Sequence, residues 1–104
     1  MIVNNSLYTY GYKKKKREKV IGRLARGEKM KHLYVVVLPV FNDGLLEIYP
    51  YEQLLHPFYQ SLDEEIRVVG IAAKKDEAIA LVQDMIQDIY DADCGFDVHK
   101  FFEM

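Results

Sequence analysis

The run Lys13-Lys14-Lys15-Lys16-Arg17, with Lys19 just beyond it, is the densest concentration of charge in this 104-residue chain. Tyr8, Tyr10 and Tyr12 precede it at alternate positions. Lysines neutralise phosphates and release counterions, and tyrosine rings stack on bases. Lys13, Lys14, Lys15, Lys16, Arg17 and Lys19 therefore read as a polyanion-binding arm.

Other chemistry-bearing residues fail on spacing. Asp91-x-Asp93-x-Gly95-x-Asp97 resembles a calcium loop at first sight. An EF-hand counted from Asp91 needs a ligand at position 5, Gly at 6 and Glu at 12, but the chain supplies Gly95, Phe96 and Phe102 there. His32, His56 and His99 share no short metal-ligand spacing with one another or with Cys94. Cys94 reads as a small space-filling residue, and His56, ahead of Pro57, as a packed or capping one. Asp63-Glu64-Glu65 reads as a charged loop that guards a sheet edge. No Gly-rich phosphate loop, nucleophile elbow or dinucleotide fingerprint occurs. The sequence thus proposes no catalytic residue, no metal ligand and no cofactor.

The remaining candidate is aromatic. Residues 49–59, YPYEQLLHPFY, hold three Tyr, one Phe and two Pro. Tyr combines rigid apolar area with a hydroxyl, and Pro limits the entropy lost on docking. Tyr49, Tyr51, Leu55, Phe58 and Tyr59 are the expected protein-contact residues.

These groups need elements to position them. Leu33–Leu38 is β-branched and apolar throughout, the pattern of a central strand covered on both faces. Asn42-Asp43-Gly44 marks a turn, and residues 45–49 return as an antiparallel strand. Residues 51–55 make a short helix that Pro57 stops. Residues 66–73 form a third strand, with Gly70 a bulge or close-approach point. Over residues 75–92, Ala78, Leu81, Val82, Met85, Ile86, Ile89 and Tyr90 recur at helical spacing. Residues 96–102 close the chain. The expected class is α+β: a small, mostly antiparallel three-stranded sheet (β-β-short α-β-α), one long amphipathic helix packed across it, and a short C-terminal element.

Charge divides the chain. Residues 1–29 carry nine Lys/Arg and two acids, and residues 30–104 carry five Lys/Arg and fourteen acids. Net charges of +7 and −9 thus meet at Lys29-Met30, inside a total of −2. This asymmetry suggests a basic, disordered leader over 1–29, in which residues 17–26 form at most a marginal amphipathic helix with Val20, Ile21, Leu24 and Ala25 on one side, joined to a single compact acidic domain over 30–104. Arg26-Gly27-Glu28-Lys29-Met30 can also be encoded as AGG-GGA-GAA-AAA-ATG, a bacterial ribosome-binding sequence ahead of a start codon. Two expectations stand side by side: native translation begins at Met30, or residues 1–29 are a real basic arm that folds onto the acidic domain or grips a polyanion.

Leu33–Phe41 is the longest apolar stretch; Pro39 breaks it, and it falls far short of the roughly 20 residues a bilayer needs. The basic cluster leads into Val20-Ile21-Gly22-Arg23 rather than an apolar signal-peptide core. A lone cysteine fits a reducing compartment. The resulting expectation is a cytoplasmic bacterial protein that works by contact with a protein partner or a second copy, without catalysis. The alternative is a nucleic-acid accessory protein acting through its basic arm. A small-ligand or enzyme domain comes last, since it requires a pocket that sequence does not reveal.

Overall fold

The computed structural model describes residues 2–39, 46–61, 66–92 and 101–102. In chain order they form β1 (Ile2–Tyr10), α1 (Lys14–Ala25), β2 (Tyr34–Val37), β3 (Glu47–Pro50), α2 (Tyr51–Leu54), α3 (Pro57–Gln60), β4 (Arg67–Ala72) and α4 (Lys75–Asp91). The expected turn at 42–44, the acidic run 63–65, Cys94, His99 and the loop acids Asp93 and Asp97 lie outside the described residues.

Period-two alternation in β2 builds two cores at once. Val35 and Val37 enter one apolar cluster with Leu24, Leu33, Tyr51, Leu54, Val68 and Ile71. Val36 points the other way, into a cluster with Val69, Leu81, Met85, Ile89 and Phe102. The sheet is covered on both faces, with α1 and α2 contributing to one side and α4 to the other. The α+β class and the long C-terminal helix are as expected.

The sheet itself differs from the expectation. Among the described residues it has four strands in the order β1-β4-β2-β3. β2 is antiparallel to both β3 and β4, while β1 lies parallel to β4. The sheet is therefore mixed, and β4 is interior.

The boundary expected at 29/30 is likewise not a structural one, and residues 2–29 are not a disordered leader. Ile2 donates its backbone N–H to the Ile66 carbonyl at 2.7 Å, and Tyr8, Thr9 and Tyr10 pair with Gly70, Ile71 and Ala72. Pairing jumps from Val3↔Val68 to Tyr8↔Gly70, so the polar stretch Asn4-Asn5-Ser6 falls in an irregularity. α1 buries Leu24 and lays Val20 and Ile21 against the same core. It ends in a complete Schellman motif: the Gly27 N–H donates to Leu24 and the Glu28 N–H to Arg23, at 3.0 and 3.1 Å. Gly27 holds φ +68°, which a side chain would strain. The Tyr51 hydroxyl then donates to the Glu28 carbonyl at 2.8 Å, tying the end of this segment to α2.

Gly70 answers to close approach. A Cβ there would strike the Met85 methyl and sit 3.0 Å from Leu81 of α4. A bulge accompanies it, because Val36 pairs with Gly70 and the next residue, Val37, with Val68.

Candidate functional site

The topology gathers several chain ends at one end of the sheet. β1 and β4 are parallel, so Tyr10 and Ala72 finish together. β2 opposes β4 and begins there, and β3 opposes β2 and ends there. Open sheets commonly place binding crevices outside the carboxyl ends of parallel strands. Here that end carries an open groove of about 820 Å³.

Five segments line it. Tyr12 follows β1; Lys16, Val20 and Arg23 come from α1; Lys29, Met30, Lys31, His32 and Leu33 lead into β2; Glu52, Leu55 and His56 come from the α2–α3 region; Ala73 follows β4. Val20, Met30, Leu33 and Leu55 supply an aliphatic floor. Lys16, Arg23, Lys29 and Lys31 bring four cations, joined by two imidazoles, and Glu52 is the one carboxylate in the lining. A second hollow, of about 390 Å³, shares His32, Leu33, Glu52 and Ala73 and extends towards Lys74 and Lys75 at the start of α4.

Local structure fixes several of these groups. Gly11 turns the chain from β1 towards α1 at φ +80°, and a Cβ there would meet the Glu77 carboxylate. Burial, with Glu77 nearby, pushes the Tyr12 hydroxyl above its ordinary pKa of 10.0, so it remains a neutral donor. Arg23 and Arg26 share the Glu28 carboxylate, and Arg26 foremost holds that carboxyl below its usual range. Two guanidiniums with one carboxylate leave a net positive charge beside the groove. His32 sits at φ 56°, a left-handed backbone that costs a non-glycine residue roughly 1–2 kcal/mol. His56 caps α3: its Nδ1 accepts from the Phe58 N–H at 3.4 Å, with Pro57 in the first turn.

The two expected sites fare differently. Lys14, Lys15, Lys16, Arg17 and Lys19 are helical residues of α1, and Lys13 is its N-cap. Tyr8 and Tyr12 do not share a stacking face beside them. Tyr8 packs towards α4, donating to Asp88 at 2.6 Å and meeting the Phe102 ring edge-on at 6.1 Å. Tyr12 belongs to the opposite face.

The expected contact patch also needs correction. Tyr51 is fully buried and is core, because it opens α2 with its N–H bonded to the Leu33 carbonyl. Phe58 is 56% exposed on α3 and meets Tyr59 edge-on, and Tyr59 meets Tyr49 in the same way. Leu55 lines the groove rather than extending that aromatic trio. Lys16 and Leu55 are thus the two expected residues that converge. Arg23, Lys29, Lys31 and Glu52 were not singled out, His32 was weighed only as a metal ligand, and no local motif marks them.

Among the described residues no helix is long and apolar enough to cross a membrane, and no three His, Cys, Asp or Glu are grouped to hold a metal ion. Comparison with protein-family models, curated proteins and solved structures finds no match to this chain.

Proposed function

We propose that this protein works by contact rather than by catalysis, as a binding domain whose basic groove takes an acidic, amphipathic segment of a protein partner. One observation carries the reading: Lys16, Arg23, Lys29 and Lys31 converge around an aliphatic floor with Glu52 as the lining's sole carboxylate. Apolar side chains of a partner would fill the floor while its carboxylates meet the rim, the helix-in-groove mode of recognition. The groove is open rather than enclosed, which suits a chain segment better than a small ligand that must be mostly enclosed. Holding His32 in a left-handed conformation at the mouth supports a functional surface there. Nucleic acid is the weaker fit, because Tyr8 is committed to Asp88, which leaves Tyr12 as the aromatic side chain in the groove lining.

Fluorescence anisotropy with a labelled helical peptide alternating Leu and Glu tests the proposal, with its Lys-for-Glu counterpart as control. The acidic peptide should bind and the basic one should not. Lys16→Glu combined with Lys31→Glu should weaken binding by at least ~10-fold, about 1.4 kcal/mol. A single-stranded oligonucleotide that binds tighter than the peptide, with a steep salt slope, would transfer the groove to nucleic acid. Absence of binding by every probe would remove the groove from consideration.

A further inference from the structure

The groove's partner can be narrowed by comparing the two helices on opposite faces of the sheet. α1 carries Lys14, Lys15, Lys16, Arg17, Lys19 and Arg23 against Glu18. α4 carries Asp76, Glu77, Asp84, Asp88 and Asp91 against Lys75. Leu24 packs α1 into one core, and Leu81, Met85 and Ile89 pack α4 into the other. The molecule therefore presents a basic face and an acidic face that point away from each other.

The spacing on the two helices matches. Lys16, Val20 and Arg23 follow an i, i+4, i+7 stripe that lines the groove, and Asp84, Asp88 and Asp91 follow the same stripe on the exposed side of α4. Seven residues of helix rise about 10.5 Å, so the outer charges of each stripe stand the same distance apart. Ile79 and Tyr90, 45% and 64% exposed, add apolar surface on another flank of the same helix, roughly 100° or more around from the acidic stripe.

We propose that the occupant of the groove is α4 of a second copy of this chain, so that copies associate front to back. This rests on the binding role assigned to the groove. Donor and acceptor surfaces lie on opposite faces, so the contact is heterologous and leaves one of each surface free at the ends. Growth into a chain follows, in place of a closed two-fold dimer. Lys16 and Arg23 of one copy meet Asp84 and Asp91 of the next, while Asp88 stays bonded to its own Tyr8.

Light scattering on the full chain reads this directly. At about 25 mM salt, where the screening length is about 20 Å, the mean mass should climb with protein concentration from the 12.2 kDa monomer. At about 0.5 M salt it should return to the monomer. Lys16→Gln with Arg23→Gln, and separately Asp84→Asn with Asp91→Asn, should each abolish growth while leaving the far-ultraviolet circular dichroism unchanged. Mixed one to one, the two variants should form a dimer that grows no further, since only one complementary contact survives. A wild-type monomer at every salt concentration, a closed dimer, or association untouched by either variant pair would overturn the proposal. The acidic-peptide titration separates the two levels. Peptide binding without self-association leaves the groove with a foreign partner, whereas loss of both removes the groove itself.

Discussion

Leu24→Ala measures whether residues 2–29 belong to the fold or merely accompany it. Leu24 is 2% exposed and is the one fully buried residue of α1. Removing three carbons from the core forfeits about 2.4 kcal/mol at ~0.8 kcal/mol per methylene. A residual void on the order of 60 Å³ would add about 1.5 kcal/mol at ~24 cal/mol per Å³. The expected loss is thus about 2.4 kcal/mol if α1 settles inward and about 4 kcal/mol if it cannot. A domain of this size has total stability of roughly 5–15 kcal/mol, so the change is a large share. Urea unfolding followed by circular dichroism gives the readout. With a slope of about 1.5 kcal/mol per molar, the midpoint should fall by about 1.6–2.7 M. The exposed Lys15→Ala on the same helix is the control and should stay within about 0.5 kcal/mol of the parent. A Leu24→Ala midpoint no different from that control would mean α1 does not pack on the core, and the docking of residues 2–29 would have to be abandoned.

Three further outcomes follow from the geometry. Gly70→Val, which forces a branched side chain against Met85 and Leu81, should cost about 1–3 kcal/mol in the same assay, with Gly70→Ala less severe. Gly27→Ala should lose roughly 1–2 kcal/mol despite open space around the position, because the penalty lies in its φ of +68°. The third outcome concerns alkali: burial foremost, then the bond to Asp88, raises the Tyr8 hydroxyl above its ordinary 10.0, and burial raises Tyr12, Tyr49 and Tyr51 in the same direction. A raised phenol favours the neutral form in the folded state, so its contribution is complete below pH 10 and is lost as pH climbs beyond it. The melting temperature should fall between pH 9 and pH 11, and Tyr8→Phe should make that fall shallower.

The parts of the fold legible in the sequence were those with local periodicity. β2, β3, α2, β4 and α4 each carry their own apolar repeat, and their observed bounds lie within a residue or two of the expected ones. β1 escaped because Asn4-Asn5-Ser6 interrupts its alternation and its partner lies some sixty positions away. α1 read as no more than a marginal helix over 17–26, for an electrostatic reason. Four lysines crowd the positive end of its dipole with no acid in the first turn, so its stability comes from Leu24 and the Gly27 cap rather than from propensity. Tyr51 shows a related failure: aromatic density reveals a sticky segment but not which ring faces inward. The groove was illegible because strand order alone assembles it. Nothing in one dimension places Lys16 beside Leu55 or His32 beside Ala73.

The parallel pairing of β1 with β4 has a consequence for biosynthesis. Ile2 must find Arg67, so β1 leaves the ribosome well before the strand it pairs with. At about 5–20 residues per second, that interval is roughly 3–13 seconds. During it Ile2, Val3 and Leu7 trail from the nascent chain with no edge to join. Such long-range closure slows folding and exposes an unpaired strand to neighbouring polysomes. A chaperone that shields β1 as it emerges should therefore raise the yield of this protein more than one acting after release.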